Sequence, residues 1–143
     1  MNLVVVDASV AVKWFLPENR EPLAEQALAL LNKYDQNEIR FVVPDLFYVE
    51  IASAIWKAVR VGRVSRVFGD EALVLLTQRE LATVPSLKLL DQAFQIATDY
   101  GRSVYDSLYV ALAVQTNSQL ITADERLANS LAAHFPVKWL GAV

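Results

Sequence analysis

The sequence contains no cysteine among its 143 residues and only one histidine, His134. The lack of cysteine excludes disulfides, thiolate nucleophiles and every zinc site that uses cysteine ligands, and it suits a reducing compartment. With one histidine, neither a Ser-His-Asp relay nor a histidine-rich metal site has enough residues to draw on. Any catalysis must therefore depend on carboxylates, hydroxyls, lysine or arginine.

Long apolar runs are also lacking, although 55% of the residues are hydrophobic. No stretch approaches the roughly 18 apolar residues that a membrane-spanning helix needs. The apolar start from Leu3 to Val6 has no basic segment before it, and Asp7 and Lys13 interrupt the apolar residues after it, so we expect no signal peptide. We predict one domain over residues 1–143, in the cytoplasm and away from membranes.

Glycine is scarce, and one segment of the chain contains no acidic residue. With four glycines and no clustered phosphate loop, dinucleotide and ATP binding have no support. The net charge of −3 argues mildly against a protein that coats nucleic acid by bulk attraction. From Ile51 through Gly69, however, no acidic residue occurs. Four basic residues fall in that segment, and on pattern alone they suit a solvated helix face: Lys57, Arg60, Arg63 and Arg66.

Segments with the pattern of strands alternate with segments that have helical spacing. The predicted strands are Asn2 to Val6, Ile39 to Val43, Ala82 to Pro85, Gln119 to Thr122 and Val137 to Leu140. The predicted helices are Ala8 to Leu16, Glu21 to Tyr34, Asp45 to about Gly62, Ser65 to Leu81, Leu87 to Tyr100, Asp106 to Thr116 and Asp124 to Ala133. This alternation predicts an α/β fold, with a central parallel sheet of four to five strands and helices on both faces. The third and fourth helices form an αα-hairpin with the basic residues near its turn.

Acidic residues occur where predicted strands end and helices begin. Asp7 and Asp124 each come just after a strand, and Asp106 opens a helix. Taken singly, each is explained as a helix cap, as is Asp45. In open parallel sheets, however, sites form beyond the carboxyl ends of strands, where such helices also begin. The sequence therefore leaves both interpretations open for each aspartate.

Glu50 is harder to explain by local structure. It is the only charge between Phe47 and Trp56 and lies about one and a half turns into its helix, with no basic residue three or four positions away. It is either a surface residue or a functional one. If it converges with the three aspartates, each pair about 4 Å apart repels by roughly 4 kcal/mol at an effective dielectric constant of 20. Such a cluster needs protons or a cation, and oxygen ligands favour Mg²⁺ or Mn²⁺ over zinc or copper.

Four blocks of this sequence resemble those of a PIN domain, most closely a ribonuclease toxin of the VapC type. In chain order they read VVVDASVAVKWF, VPDLFYVEIASAIWKAVRVGRVS, YDSLYVALA and LITADERL. The resemblance spans nearly the whole chain and implies a PIN-like three-layer fold. It also implies an endoribonuclease whose acids hold one or two Mg²⁺ or Mn²⁺ ions and which belongs to a type II toxin-antitoxin pair.

The resemblance assigns roles residue by residue. It makes Asp7, Glu50, Asp106 and Asp124 the catalytic and metal-binding acids of the four blocks. Ser9 and Thr122 match hydroxyl positions that support the site, although turn and cap hydrogen bonds also explain them. Where the second block often has asparagine three residues after its glutamate, this chain has Ser53.

The resemblance also implies partners. An antitoxin would wrap the αα-hairpin, and the family commonly forms homodimers. Beside a phosphodiesterase site, the four basic residues fit contact with RNA or with the antitoxin as well as they fit a solvated face.

Two other functions remain as alternatives. A phosphatase of the haloacid-dehalogenase kind also has an aspartate after its first strand, but it needs a second one two positions on, where this chain has Ser9. A catalytically silent PIN-like module would bind RNA or a partner without cutting, and the intact acids argue against it. The sequence leaves open the RNA target, the cleavage site, the antitoxin and the effect of Ser53.

Overall fold

A central sheet of five parallel strands organises the chain in a computed structural model that describes residues 2–17 and 21–143. Every neighbouring pair of strands runs parallel, which confirms the predicted α/β class. The strands are β1 (Asn2–Val6), β2 (Ile39–Pro44), β3 (Ala82–Val84), β4 (Gln119–Thr122) and β5 (Val137–Trp139). Their order across the sheet is β3-β2-β1-β4-β5, so β1 lies at the centre.

Helices cover both faces of this sheet. Val5 and Val6 point to opposite faces of β1, yet both have no exposed surface, so apolar side chains pack on either side. The α-helices of the described residues are α1 (Ala8–Ala11), α2 (Ala24–Asp35), α3 (Phe47–Arg60), α4 (Arg66–Gln78), α5 (Leu90–Tyr100), α6 (Val104–Gln115) and α7 (Glu125–Leu131). Short 3₁₀ turns at Val12–Trp14 and Ser86–Lys88 replace parts of two predicted helices.

Helices α3 and α4 form the predicted αα-hairpin. Gly62, at a φ of 76°, follows the end of α3, and the Ser65 hydroxyl accepts a hydrogen bond from the Phe68 amide to start α4. A Cβ at Gly69 would come within 2.6 Å of Val59 Cγ2, so only glycine lets the two helices approach this closely. The hairpin turn therefore lies where the sequence placed it.

Both helix starts that the sequence analysis placed at Asp45 and Asp106 are wrong. Asp45 does not cap α3, which begins at Phe47; its carboxylate instead accepts hydrogen bonds from the amide and hydroxyl of Ser86. Helix α6 begins at Val104 rather than at Asp106, because the Ser103 hydroxyl accepts a hydrogen bond from the Asp106 amide and caps the helix. Asp106 is thus the third residue of α6, inside the first turn rather than at its start.

None of the helices in the described ranges is long and apolar enough to cross a membrane.

Candidate functional site

The carboxyl ends of β1 and β4 define a natural site. From the central strand, the sheet continues through β2 to β3 on one side and through β4 to β5 on the other. Ligands of open parallel sheets bind at such a reversal of strand order, beyond the carboxyl ends of the strands. Asp7 directly follows β1, and Asp124 lies two residues after β4. These two predicted acids therefore lie at the switch point of the sheet.

Asp7 is buried and tightly hydrogen-bonded. It is 7% exposed, and its Oδ1 accepts hydrogen bonds from Ser9 Oγ at 2.5 Å and from the Val10 amide at 3.3 Å. Loss of hydration raises the pKa of Asp7 to about 6, because burial outweighs the opposing effects of the Ser9 and Thr122 hydroxyls and the Val10 amide. The nearby charge of Asp106 raises this pKa further. Asp7 also caps α1, so its interpretation as a helix cap is correct.

Two hydroxyls join the Asp7 junction to the Asp124 junction. Ser9 Oγ lies 3.4 Å from Thr122 Oγ1 and accepts a hydrogen bond from the Ala123 amide at 3.0 Å. Thr122 Oγ1 in turn accepts a hydrogen bond from the Asp124 amide at 3.1 Å. Because these contacts connect segments 113 residues apart, they fix the two strand ends relative to each other.

Glu50 is half-buried and faces α6. Its Oε1 accepts a hydrogen bond of 2.5 Å from the hydroxyl of Tyr109, a buried residue of α6. Partial burial raises the pKa of Glu50; the Tyr109 hydrogen bond opposes this rise, and the charge of Asp106 adds to it. Burial also raises the pKa of Tyr109, so its hydroxyl stays protonated and remains a donor. Ser53, the departure from the family pattern, is exposed on α3.

Asp106 and Asp124 share one cation. The Arg102 Nη2 atom lies 3.6 Å from Asp106 Oδ2 and 3.7 Å from Asp124 Oδ2. Asp124 also caps α7, since its Oδ1 accepts a hydrogen bond from the Leu127 amide at 3.2 Å. Asp106 is at the same time electrostatically coupled to Asp7 and Glu50. The four predicted acids therefore form one connected patch with Asp106 in the middle.

The donor set of this patch is suited to a hard divalent cation. Carboxylate and hydroxyl oxygens are the ligands that Mg²⁺ and Mn²⁺ prefer, and a nearby cation would favour the charged form of buried Asp7. In residues 2–17 and 21–143, no three Asp, Glu or His side chains are near enough to one another to share an ion. The residue types thus fit such a metal, while the side chains are spaced more widely than in a closed coordination shell.

Arg102 and Tyr109 are the site residues that the sequence analysis missed. Arg102 precedes Asp106 by four positions and Tyr109 follows it by three, so both lie within helical reach of the acid. That spacing was the available signal for each. The partners that make them informative, Asp124 and Glu50, come from distant parts of the chain.

The four basic residues of the hairpin differ in their exposure and in their partners. Arg63 pairs with the largely buried Glu21 at 2.6 Å, and Arg66 pairs with Asp70 at 3.7 Å. Lys57 and Arg60 are exposed, and the guanidinium of Arg60 stacks 5.4 Å from the ring centre of Trp56. These two lie about 10 to 15 Å along α3 from Glu50, at 1.5 Å per residue. They flank the acidic patch without touching it.

Comparisons with known proteins agree with this architecture. The model of the PIN domain family matches residues 4–130. A protein named Ribonuclease VapC3, from Pyrobaculum aerophilum, is 33% identical over 135 residues, which cover 91% of this chain and 95% of that protein. Two solved structures share the fold. PAE2754 from Pyrobaculum aerophilum has a TM-score of 0.68 at 21% identity, covering 99% of this chain and 91% of that one. VapBC2 from Rickettsia felis, bound to a DNA fragment from their promoter, has a TM-score of 0.64 at 12% identity, covering 96% and 98%.

Proposed function

This chain belongs to the PIN domain family, and we propose that it is a divalent-metal-dependent endoribonuclease, the toxin of a type II toxin-antitoxin pair acting on RNA in the cytoplasm. The observation that carries the proposal is the position of Asp106, coupled to Asp7 and Glu50 and joined to Asp124 through Arg102, at the switch point of the sheet. The relative named as a ribonuclease covers nearly the whole chain, which supports the same activity.

Four carboxylates would hold Mg²⁺ or Mn²⁺: Asp7, Glu50, Asp106 and Asp124. A bound divalent ion lowers the pKa of water and stabilises charge that develops on a phosphoryl group. Ser9 donates a hydrogen bond to the Asp7 carboxylate, and Thr122 accepts one from the Asp124 amide, so the two hydroxyls help to position these acids at the two strand ends. The hydrogen bond from Tyr109 orients Glu50, whose raised pKa suits a group that accepts a proton from an attacking water. The water oxygen forms a bond to phosphorus as one of its protons passes to Glu50. The bond from phosphorus to the leaving oxygen breaks, and that oxygen takes up a proton from solvent.

The test is cleavage of a structured RNA by the purified protein, with Mg²⁺ and with a chelator. We expect cleavage only with the metal. In Asp7→Asn and in Asp106→Asn we expect a loss of about a hundredfold or more, on the order seen when one group that stabilises transition-state charge is removed. Asp45→Asn is the matched control, because Asp45 also follows a strand at this edge but bonds to Ser86 instead of joining the acidic patch. Cleavage that persists in the chelator and in both variants would refute the nuclease. RNA binding without any cleavage would identify the silent module instead.

The haloacid-dehalogenase alternative has lost its remaining support. The position where that chemistry needs its second acid is Ser9, whose hydroxyl donates its hydrogen bond to Asp7. No proton donor for a leaving group is therefore available at that position.

The antitoxin would bind the outer face of the αα-hairpin. Between α3 and α4 lies a groove of about 400 Å³, lined by Trp56 and Leu73, which are 59% and 42% exposed, with Arg66 and Asp70 at its side. Apolar surface of this kind marks a protein-binding site. Copurification with the product of an adjacent short reading frame, lost in Leu73→Asp, tests this placement; retention of the partner by Leu73→Asp would contradict it.

We also propose a homodimer. Helix α5 and the turn before it expose Leu87, Leu90 and Phe94, at 82%, 42% and 55% of their surface. Light scattering of the purified chain should give twice the 15.9 kDa of one copy. A mass of one copy at micromolar concentration would count against the dimer.

A further inference from the structure

We propose that Arg102 is an internal counter-ion, which holds Asp106 and Asp124 in the metal-free protein and competes with the divalent ion for them. Arg102 thereby raises the metal concentration at which the site fills. This inference rests on the proposed function, since it concerns access of the metal to the same acids.

The charges around the patch carry the argument. Among residues 2–17 and 21–143, Arg102 is the one cation within 4.0 Å of any of the four acids. Its Nη2 lies within 3.7 Å of both carboxylate oxygens, so those oxygens are at most twice that distance apart. A single guanidinium nitrogen therefore contacts two groups that we assign to the metal.

The contacts are those of a replaceable ion. Distances of 3.6 and 3.7 Å are too long for directed hydrogen bonds, so attraction between charges is what holds the arginine there. Within the described part of the chain, its buried Nε atom has no hydrogen-bond partner, whereas most buried donors that serve a structural role have one. Asp106 and Asp124 remain 38% and 45% exposed, which leaves both open to an ion arriving from solvent.

The backbone keeps Arg102 at the site, so only its side chain has to move for an ion to enter. Gly101, at a φ of 68°, ends α5, and Ser103 caps α6, so Arg102 is the single residue between a helix stop and a helix start. The backbone position is thus fixed from both sides. Rotation of the side chain is the motion that can withdraw the guanidinium from the two carboxylates.

The size of the effect comes from Coulomb's law. A unit charge about 6 Å from a divalent ion changes its binding roughly tenfold even at the dielectric constant of water. Removing the positive charge of Arg102 should therefore tighten metal binding by about tenfold or more. Replacement by lysine, which keeps the charge, should leave the affinity near that of the wild type.

The experiment is titration of the full-length, metal-free protein with Mn²⁺, read by calorimetry and by the electron spin resonance of free Mn²⁺, with no RNA present. The variants are Arg102→Gln, Arg102→Lys and Asp106→Asn. Arg79→Gln is the matched control, because Arg79 pairs with Asp35 in a similarly exposed ion pair on another part of the molecule. We expect tighter binding in Arg102→Gln alone and weaker binding in Asp106→Asn.

The outcomes separate the two proposals. If Arg102→Gln binds Mn²⁺ no more tightly than the wild type while Asp106→Asn loses binding, the metal site stands and the counter-ion is refuted. Equal tightening in Arg79→Gln would refute it too, since the effect would then be one of net charge. If Asp106→Asn binds as the wild type does, the metal site itself, and with it the proposed function, is wrong.

Discussion

Asp7 is a buried carboxylate whose ionisation opposes folding. Its pKa rises from 3.8 to about 6 in the folded protein, chiefly because burial removes its hydration. A folded-state pKa above the unfolded value means that the native protein holds the proton more tightly. The stability that the protonated form of Asp7 contributes to the folded protein is fully present below pH 3.8 and is lost as the pH rises through 6.

Asp7→Asn should therefore remove one component of the pH dependence of stability. Asparagine keeps an oxygen for the cap of α1 and carries no charge. As the pH rises from about 4 to about 7, we therefore expect the free energy of unfolding of the variant to increase relative to that of the metal-free wild type, by about 3 kcal/mol. Urea denaturation in chelator at several pH values measures the difference.

Asp45 supplies a control of opposite sign. Hydrogen bonds from Ser86 lower the pKa of Asp45, so the stability that its charged form contributes is present above its unfolded pKa and is lost as the pH falls. Asp45→Asn should lose stability relative to the wild type at neutral pH and recover in acid.

The prediction for Asp7 has a clear contrary outcome. A difference in the free energy of unfolding between Asp7→Asn and the wild type that stays constant from about pH 4 to about pH 7 would show that Asp7 does not titrate in this way.

Helices α4 and α6 both begin with a serine N-cap, but the residues in their first turns differ. Ser65 caps α4 and Ser103 caps α6, each through a hydrogen bond of 3.0 Å from the amide three residues on. In α6 that amide belongs to Asp106. The cap of α6 therefore fixes the backbone of a residue that we assign to the metal, whereas the cap of α4 serves the hairpin alone.

Ser103→Ala and Ser65→Ala should separate stability from activity. Each removes one capping hydrogen bond, so each should lower the free energy of unfolding by about 1 kcal/mol. Only Ser103→Ala should also reduce RNA cleavage and weaken Mn²⁺ binding, because Asp106 loses its anchor. Urea denaturation and cleavage assays on both variants check this, and an equal loss of cleavage in Ser65→Ala would mean that activity simply follows stability.

How well the sequence predicted an element depended on the distance over which its contacts act. The β4 strand was predicted at its observed bounds, because a short buried run between polar residues is a local signal. The wrong cap at Asp45 has a distant cause, since its carboxylate bonds to Ser86, 41 positions away. No local pattern could have predicted that partner.

The same limit applies within the candidate site. The positions of Asp7 and Asp124 at one edge could be predicted from the rule for parallel sheets. The hydrogen bond between Tyr109 and Glu50 joins residues 59 positions apart. The ion pair of Arg102 is with Asp124, the N-cap residue of α7. These contacts depend on how α3, α6 and α7 pack, which the helical spacing of one segment does not specify.

On the scale of the whole molecule, charge is divided along α3. Its first turn carries Glu50 beside the acidic patch, and its last turns carry Lys57 and Arg60. The net charge of −3 repels nucleic acid in general, so RNA needs a local positive surface to approach the acids. Because Arg63 and Arg66 are paired with carboxylates, Lys57 and Arg60 are the members of the basic group best placed to contact phosphates.

We therefore expect Lys57→Gln/Arg60→Gln to weaken RNA binding and to reduce its dependence on salt. Binding is best measured in an Asp106→Asn background, so that the RNA stays intact. If each residue contacts one phosphate of single-stranded RNA, the slope of log K against log salt should fall in magnitude by roughly 1.4, about 0.7 for each contact. Lys33→Gln/Arg40→Gln removes the same charge from the end of α2 and the start of β2, at the opposite edge of the sheet, and should leave the slope unchanged. If both double variants reduce the slope equally, RNA responds to net charge and the hairpin makes no specific contact with its backbone.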